Sequence, residues 1–353
     1  MRKASGSSTV FCRRFGKRRA DAGERVKMFV KNDLESADMF IRPDSESADM
    51  SKRPDSESVD MSIKTGTGGA YRPIKAVQQF MLGTVMNKEE QALATMEKMK
   101  AAGYDGIELC GFMIHPSGLL VKMMTKAAGM PVGNGGKLDW PRLVKASGLK
   151  VVSIHQDLGG IEREPTAVSE EAKAFGTDRV VITGMYRFPY GETEAVKQLA
   201  DRLNKAGAAL AAEGIRLFYH NHNCEFLRNG SGKNAYRILL EETDAAMVNF
   251  EFDSYWCAEC GENPLAVMDA LGSRMKLWHI NDRGTRQTGP CMTPIVKSDS
   301  MELGTGAMPL EALSKKAKAA GVEAVILESH RNWIDKSPIR SFEKSAEFMN
   351  AHF

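Results

Sequence analysis

From Gln78 onward the chain repeats one pattern: a short apolar run, a turn, then a polar stretch with apolar residues three and four apart. The runs QQFMLGTVM (78–86), GIELCGF (106–112), VVSIHQDL (151–158), RVVITGM (179–185), RLFYHNH (216–222), VNFEFDSYW (248–256), MKLWHINDR (275–283) and AVILESHR (324–331) predict eight strands. Between them lie helical signals. Leu199, Leu203, Ala206 and Leu210 form one buried helix face. Asn87 with Glu90 makes a capping box, and Gly103 is a stop. A short helix falls near Trp140–Ser147 after a longer Gly-rich connection. Pro309 opens a helix that closes at Gly321, and Ser337 with Pro338 starts the last one. Eight strands each followed by a helix is the count of an α/β (β/α)8 TIM barrel. An open doubly wound sheet needs a Gly-rich phosphate turn after its first strand, and Gly83-Thr84-Val85-Met86 is not one. The barrel is therefore expected over residues 71–353.

Residues 1–70 follow another rule. SADMFIRPDSE (36–46) recurs as SADMSKRPDSE (47–57) and begins again at Ser58, a tandem repeat of 11 residues. Pro43 and Pro54 forbid a continuous helix there, and the Ser/Asp/Glu/Pro composition buries too little to offset ordering entropy. The segment reads as a disordered low-complexity leader, with a localisation or partner-binding tail as the alternative. It also explains the charge. The chain has 353 residues and a net charge of +3. Residues 1–31 carry +8 and residues 32–70 carry −5, so the rest is neutral. A neutral body gives no electrostatic case for nucleic acid or membrane partners, and no apolar run reaches the ~18 residues of a membrane span. Six cysteines without a secretory signal read as free thiols of a reducing, cytoplasmic compartment. Cys257-x-x-Cys260 alone is a weak zinc signal.

Barrel enzymes place chemistry at the C-terminal ends of their strands. Those ends here carry Glu108, His155, His220, His222, Glu225, Glu251, Asp253, His279, Asp282, Glu328 and His330. In the sixth strand Phe250 and Phe252 share one face, suited to helices, while Asn249, Glu251 and Asp253 share the other and point into the barrel. Several carboxylates in one mouth cannot all stay ionised uncompensated, and a divalent cation solves this. A mostly oxygen set with imidazole suits Mn²⁺, with Mg²⁺ or Co²⁺ as alternatives.

YHNHNCEF (219–226), NFEFDSYW (249–256), KLWHINDRG (276–284), ELGTG (302–306) and VILESH (325–330) resemble the xylose isomerase-like sugar phosphate isomerase/epimerase superfamily. The resemblance runs from about Val77 to the C-terminus. It implies one divalent metal held by Glu225, Asp253, His279 and Glu328, with Glu225 and Glu328 also acting as acid/base groups. The implied reaction is isomerisation or epimerisation of a sugar, sugar phosphate or keto-sugar, by proton removal next to a metal-bound carbonyl. The YHNHxxEF form looks closest to branches acting on keto-glycosides, including C-glycoside deglycosidase α-subunits. There the second His acts as base, which maps to His222, and the reaction is a lyase elimination. Asn281 departs from the family's usual Lys, which removes any contact expected from that position. Glu108, His155, Trp256 and Arg283 are expected to face the substrate. Arg286 and Lys297 share the long loop 284–308 with its solvated surface. A homo-oligomer or a complex with a small partner subunit is expected. A histidine-rich endonuclease is disfavoured by seven His in all and by Trp256 three residues after Asp253. A non-catalytic sugar-binding barrel is the rival from another class.

Overall fold

A computed structural model describes residues 72–116, 123, 135–230, 232–287 and 289–353. The expected disordered leader and most of the Gly-rich connection after residue 116 lie outside them. Eight parallel strands close into a barrel, and the pairing runs around the full circle. In chain order they are β1 Ile74–Gln78, β2 Gly106–Cys110, β3 Lys150–Gln156, β4 Arg179–Thr183, β5 Arg216–His220, β6 Val248–Asp253, β7 Met275–Ile280 and, after a short antiparallel pair, β10 Ala324–Leu327. The pair is β8 Asp282–Gly284 with β9 Asp299–Met301, and it sits in the long loop after β7.

Two apolar cores follow from strand parity. Phe250 and Phe252 pack outward in a large cluster with Leu199, Leu203 and Leu210 of the helix Thr193–Ala212. Ala76, Val152, Val181, Phe218, Leu277, Ala324 and Ile326 form a second cluster, to which the strands contribute their inward faces. Two residues further along the same faces stand His220, His279 and Glu328. The polar centre is therefore one layer above an apolar plug.

The first strand is IKAVQ (74–78), and not the run 78–86, which begins with a 3-10 turn, Gln79–Leu82. Lys75 made the true strand look polar. Its Nζ instead leaves the strand end to donate to Asn350 Oδ1 at 2.5 Å. The first long helix starts at Glu89 without a side-chain cap, because the Asn87 side chain donates back to Thr84 O. The stops hold: Gly103 and Gly321 adopt left-handed φ, and Ser337 caps Pro338–His352 by accepting from Arg340 N.

At the opposite end an ion cluster closes the barrel floor. Glu323 accepts from Arg179 Nη2 at 2.8 Å and from Arg216 Nη1 and Nη2 at 2.8 and 2.9 Å. Burial alone would raise the Glu323 pKa, but the two guanidiniums outweigh it and hold it at about 2. A depressed folded-state pKa gives stability that is complete above the unfolded value of 4.5 and is lost as pH falls toward about 2. Acid melts should therefore lose up to about 3 kcal/mol in that window from this residue. Glu323→Gln should flatten that limb of the Tm-versus-pH curve, and an unchanged limb would show that the cluster does not stabilise the barrel.

Candidate metal centre

Strand ends β5, β6, β7 and β10 bring His220, Asp253, His279 and Glu328 together. One ligand atom from each lies within 4.8 Å of the others, and all four are buried. His279 Nδ1 lies 3.0 Å from Glu328 Oε2 and 4.0 Å from Asp253 Oδ2. Asp253 also caps the following helix, accepting from Trp256 N at 2.9 Å. Burial and the charge of Glu328 push the Asp253 pKa up to about 8. Burial would raise that of Glu328 too, but His330 and His279 outweigh it and hold it below the usual carboxylate range. Two imidazoles and two carboxylates suit a divalent ion of the Mn²⁺, Co²⁺ or Zn²⁺ kind. His220 Nδ1 lies 3.1 Å from Glu251 Oε2 without an aligned hydrogen bond, which leaves the Nε2 side of the ring for such an ion.

A second group lies inside the first. Glu108, His155, Glu251 and His279 also converge within 4.8 Å, and His279 belongs to both. Glu108 and His155 were expected to face the substrate. Glu108 is fully buried and His155 nearly so, and both contact this inner group. Burial would strip the proton from His155, but Glu108 and Glu251 outweigh it and hold its pKa at about 10.

Glu225, expected as a ligand, is in neither converging group. It lies in the turn Cys224–Phe226 beyond β5, and its oxygens are engaged. Oε1 accepts from Tyr219 OH at 2.9 Å; Oε2 accepts from His222 N at 2.9 Å and from Cys224 Sγ at 3.1 Å. Tyr219 OH is in turn 3.0 Å from Tyr190 OH. The carboxylate thus fixes the backbone of His222. That ring lies 5.1 Å from the His220 ring and 5.8 Å from Trp256, centroid to centroid. Burial and the neighbouring His220 lower the His222 pKa to about 4, which leaves a neutral imidazole able to accept a proton.

Trp256 forms a wall between His222 and His330, and its buried Nε1 has no hydrogen-bond partner. Arg283 is drawn to Glu259, with Nε 2.6 Å from its carboxylate. Arg286 pairs with Glu302, and Glu302 also accepts from Ile334 N at 2.8 Å. The ELGTG turn is pinned by Asp282, whose carboxylate accepts from Gly304 N, Gly306 N and Met308 N at 2.9–3.1 Å. A Cβ on Gly306 would fall 2.6 Å from Arg283 O, so that position requires glycine. Cys257 and Cys260 are free thiols, and Cys260 Sγ donates to Cys257 O at 3.0 Å. No helix among the described residues is long and apolar enough to cross a membrane.

The closed parallel barrel brings imidazoles and carboxylates together at its C-terminal strand ends, where TIM barrels carry their sites. The chain belongs to the xylose isomerase-like TIM barrel family, whose pattern it matches over residues 96–352. It is 32% identical over 108 residues to an inosose dehydratase of Clostridium beijerinckii, a segment covering 30% of this chain and 33% of that protein. The match thus spans about a third of the curated relative's length. The fold is shared with a sugar phosphate isomerase/epimerase from Parabacteroides distasonis (TM-score 0.62, 21% identity, 81% of this chain and 96% of that one). It is also shared with the IOLI protein, whose crystal structure has a zinc atom bound (TM-score 0.54, 16% identity, 79% and 99%).

Proposed function

We propose that the chain is a divalent-metal-dependent enzyme that isomerises or epimerises a sugar, sugar phosphate or keto-sugar by removing a proton next to a carbonyl. The observation that carries this reading is the buried convergence of His220, Asp253, His279 and Glu328 at four strand ends. These four residues would hold the metal, and we place His220 where the sequence suggested Glu225. When bound, the metal supplies Lewis acidity to a substrate carbonyl and its neighbouring hydroxyl. His222, neutral and beside the ligand set, takes the proton from the adjacent carbon. Glu328 exchanges it on the other side, and Trp256 excludes water from one flank. Glu225 keeps His222 in place through its backbone N–H. Mn²⁺ is the metal we expect, and a small sugar is the substrate.

A lyase reading shares the first step. The proton leaves the carbon next to the carbonyl, then the bond to a β oxygen breaks and the leaving group departs with a proton. The inosose dehydratase relatives favour it, since dehydration is such an elimination. Incubating Mn²⁺-loaded protein in D₂O with ketoses, 3-keto-glycosides and inososes separates the two. Deuterium next to the carbonyl with the skeleton intact is the expected result. Released water or aglycone assigns the lyase instead. Absence of exchange with every substrate, together with indifference to chelator, leaves a non-catalytic barrel.

A further inference from the structure

His279 is the residue shared by the two buried groups, and its two nitrogens face different ways. Nδ1 faces Glu328 at 3.0 Å and Asp253 at 4.0 Å. Nε2 faces inward, 2.6 Å from Glu108 Oε2 and 3.2 Å from Glu251 Oε2. A neutral imidazole offers a lone pair at one nitrogen and an N–H at the other. If Nδ1 ligates, Nε2–H must donate, and Glu108 is the acceptor at a charge-assisted distance.

Glu108 is itself held. Its Oε2 accepts from Gln78 Nε2 at 2.7 Å, and its Oε1 accepts from Ser153 Oγ. The Gln78 amide cannot flip without loss, because its Oε1 accepts from Phe80 N at 3.1 Å. Its Nε2 therefore stays an N–H donor, 2.7 Å from Glu108 and 3.3 Å from His155 Nε2. A donor in that place repels a cation. His155 Nε2 lies 3.1 Å from both Glu108 and Glu251, so a ring nitrogen already fills the space between the two carboxylates. A cation in the inner group would also need His279 to ligate through both nitrogens, losing both ring protons.

We propose that Glu108 is a positioning residue that accepts the Nε2–H of His279 and so turns Nδ1 toward a single metal, with the inner group acting as a protein-only anchor beneath it. This rests on the ligand set proposed above. Glu251 stands in the same relation to His220, 3.1 Å from Nδ1, but without hydrogen-bond alignment, so Glu108 is the stronger anchor.

The test uses the full chain titrated with Cd²⁺ and Co²⁺. Elemental analysis should give one equivalent per chain. In ¹⁵N-histidine-labelled, ¹¹³Cd-loaded protein, His279 should show an Nε2–H proton and cadmium coupling at Nδ1. Glu108→Gln should bind Co²⁺ about 10- to 100-fold more weakly, with a shifted visible spectrum. Its metal-free form should melt several degrees lower, because an amide leaves one buried donor without an acceptor, so the Co²⁺ spectrum and the nitrogen assignment carry the positioning role. Two equivalents, coupling at Nε2, or unchanged Co²⁺ affinity in Glu108→Gln overturns the inference and leaves the proposed function standing. Zero equivalents removes both. If Glu108→Gln fails to fold, the nitrogen assignment in the unsubstituted protein still decides.

Discussion

Replacing Glu328 with glutamine should cut turnover by about 10²–10⁴-fold, the range for loss of a positioned acid/base group. The substitution keeps the side chain's shape and removes its charge and basicity. Glu328 is nearly buried, 3.0 Å from His279 and 3.9 Å from His330, so little water is present to replace it. It is argued to be both a ligand and a proton carrier, so metal affinity should fall with the rate. The measurement is steady-state kinetics in saturating metal beside a thermal melt. A correctly folded variant with rates within tenfold of the parent would refute the role given to Glu328.

The fold was legible because a barrel writes two periods into the chain. In β6 the alternation Asn249, Phe250, Glu251, Phe252, Asp253 assigns each residue to the inside or the outside, and the structure keeps that assignment. The convergence of Asp253, His279 and Glu328 was legible for the same reason, since each ends or follows a recognisable strand. β1 was misplaced because Lys75 breaks its apolar run, and lysine at a strand start is compatible with burial only once Asn350 is known to receive its ammonium. His220, named among the strand-end residues but not among the ligands, obeys the rule that found Asp253: two residues after the inward Phe218, it is the last residue of β5. Glu225 was named as the fourth ligand because the family resemblance implies it by position, and the proposed set puts His220 in that role. The four residues of the inner group were all named at strand ends, but their convergence was not legible. Which side chains of β2, β3, β6 and β7 meet at one height depends on the register, including the shifts between Ile107 and Leu109 and between Phe250 and Glu251.

The two candidates for the fourth ligand give opposite results on substitution. His220→Ala removes a nitrogen from the converging group and should weaken metal binding by more than about 100-fold, beyond the effect expected for residues that only support a ligand. Glu225→Gln should keep one equivalent of metal. Its cost is local instead. Tyr219 OH, His222 N–H and the Cys224 thiol all donate to the two oxygens of Glu225, and an amide replaces one of them with a donor. One buried N–H or O–H then loses its acceptor, worth about 1–3 kcal/mol. Tm should fall by several degrees, and turnover should drop through a displaced His222, with metal content intact. Chelator-competition measurements on both variants, each paired with a melt, separate the cases. Metal lost from Glu225→Gln and retained by His220→Ala would restore the carboxylate as ligand. It would also mean that the turn Cys224–Phe226 rearranges when the metal binds, because its carboxylate would have to leave Tyr219 and the His222 amide to reach the ion.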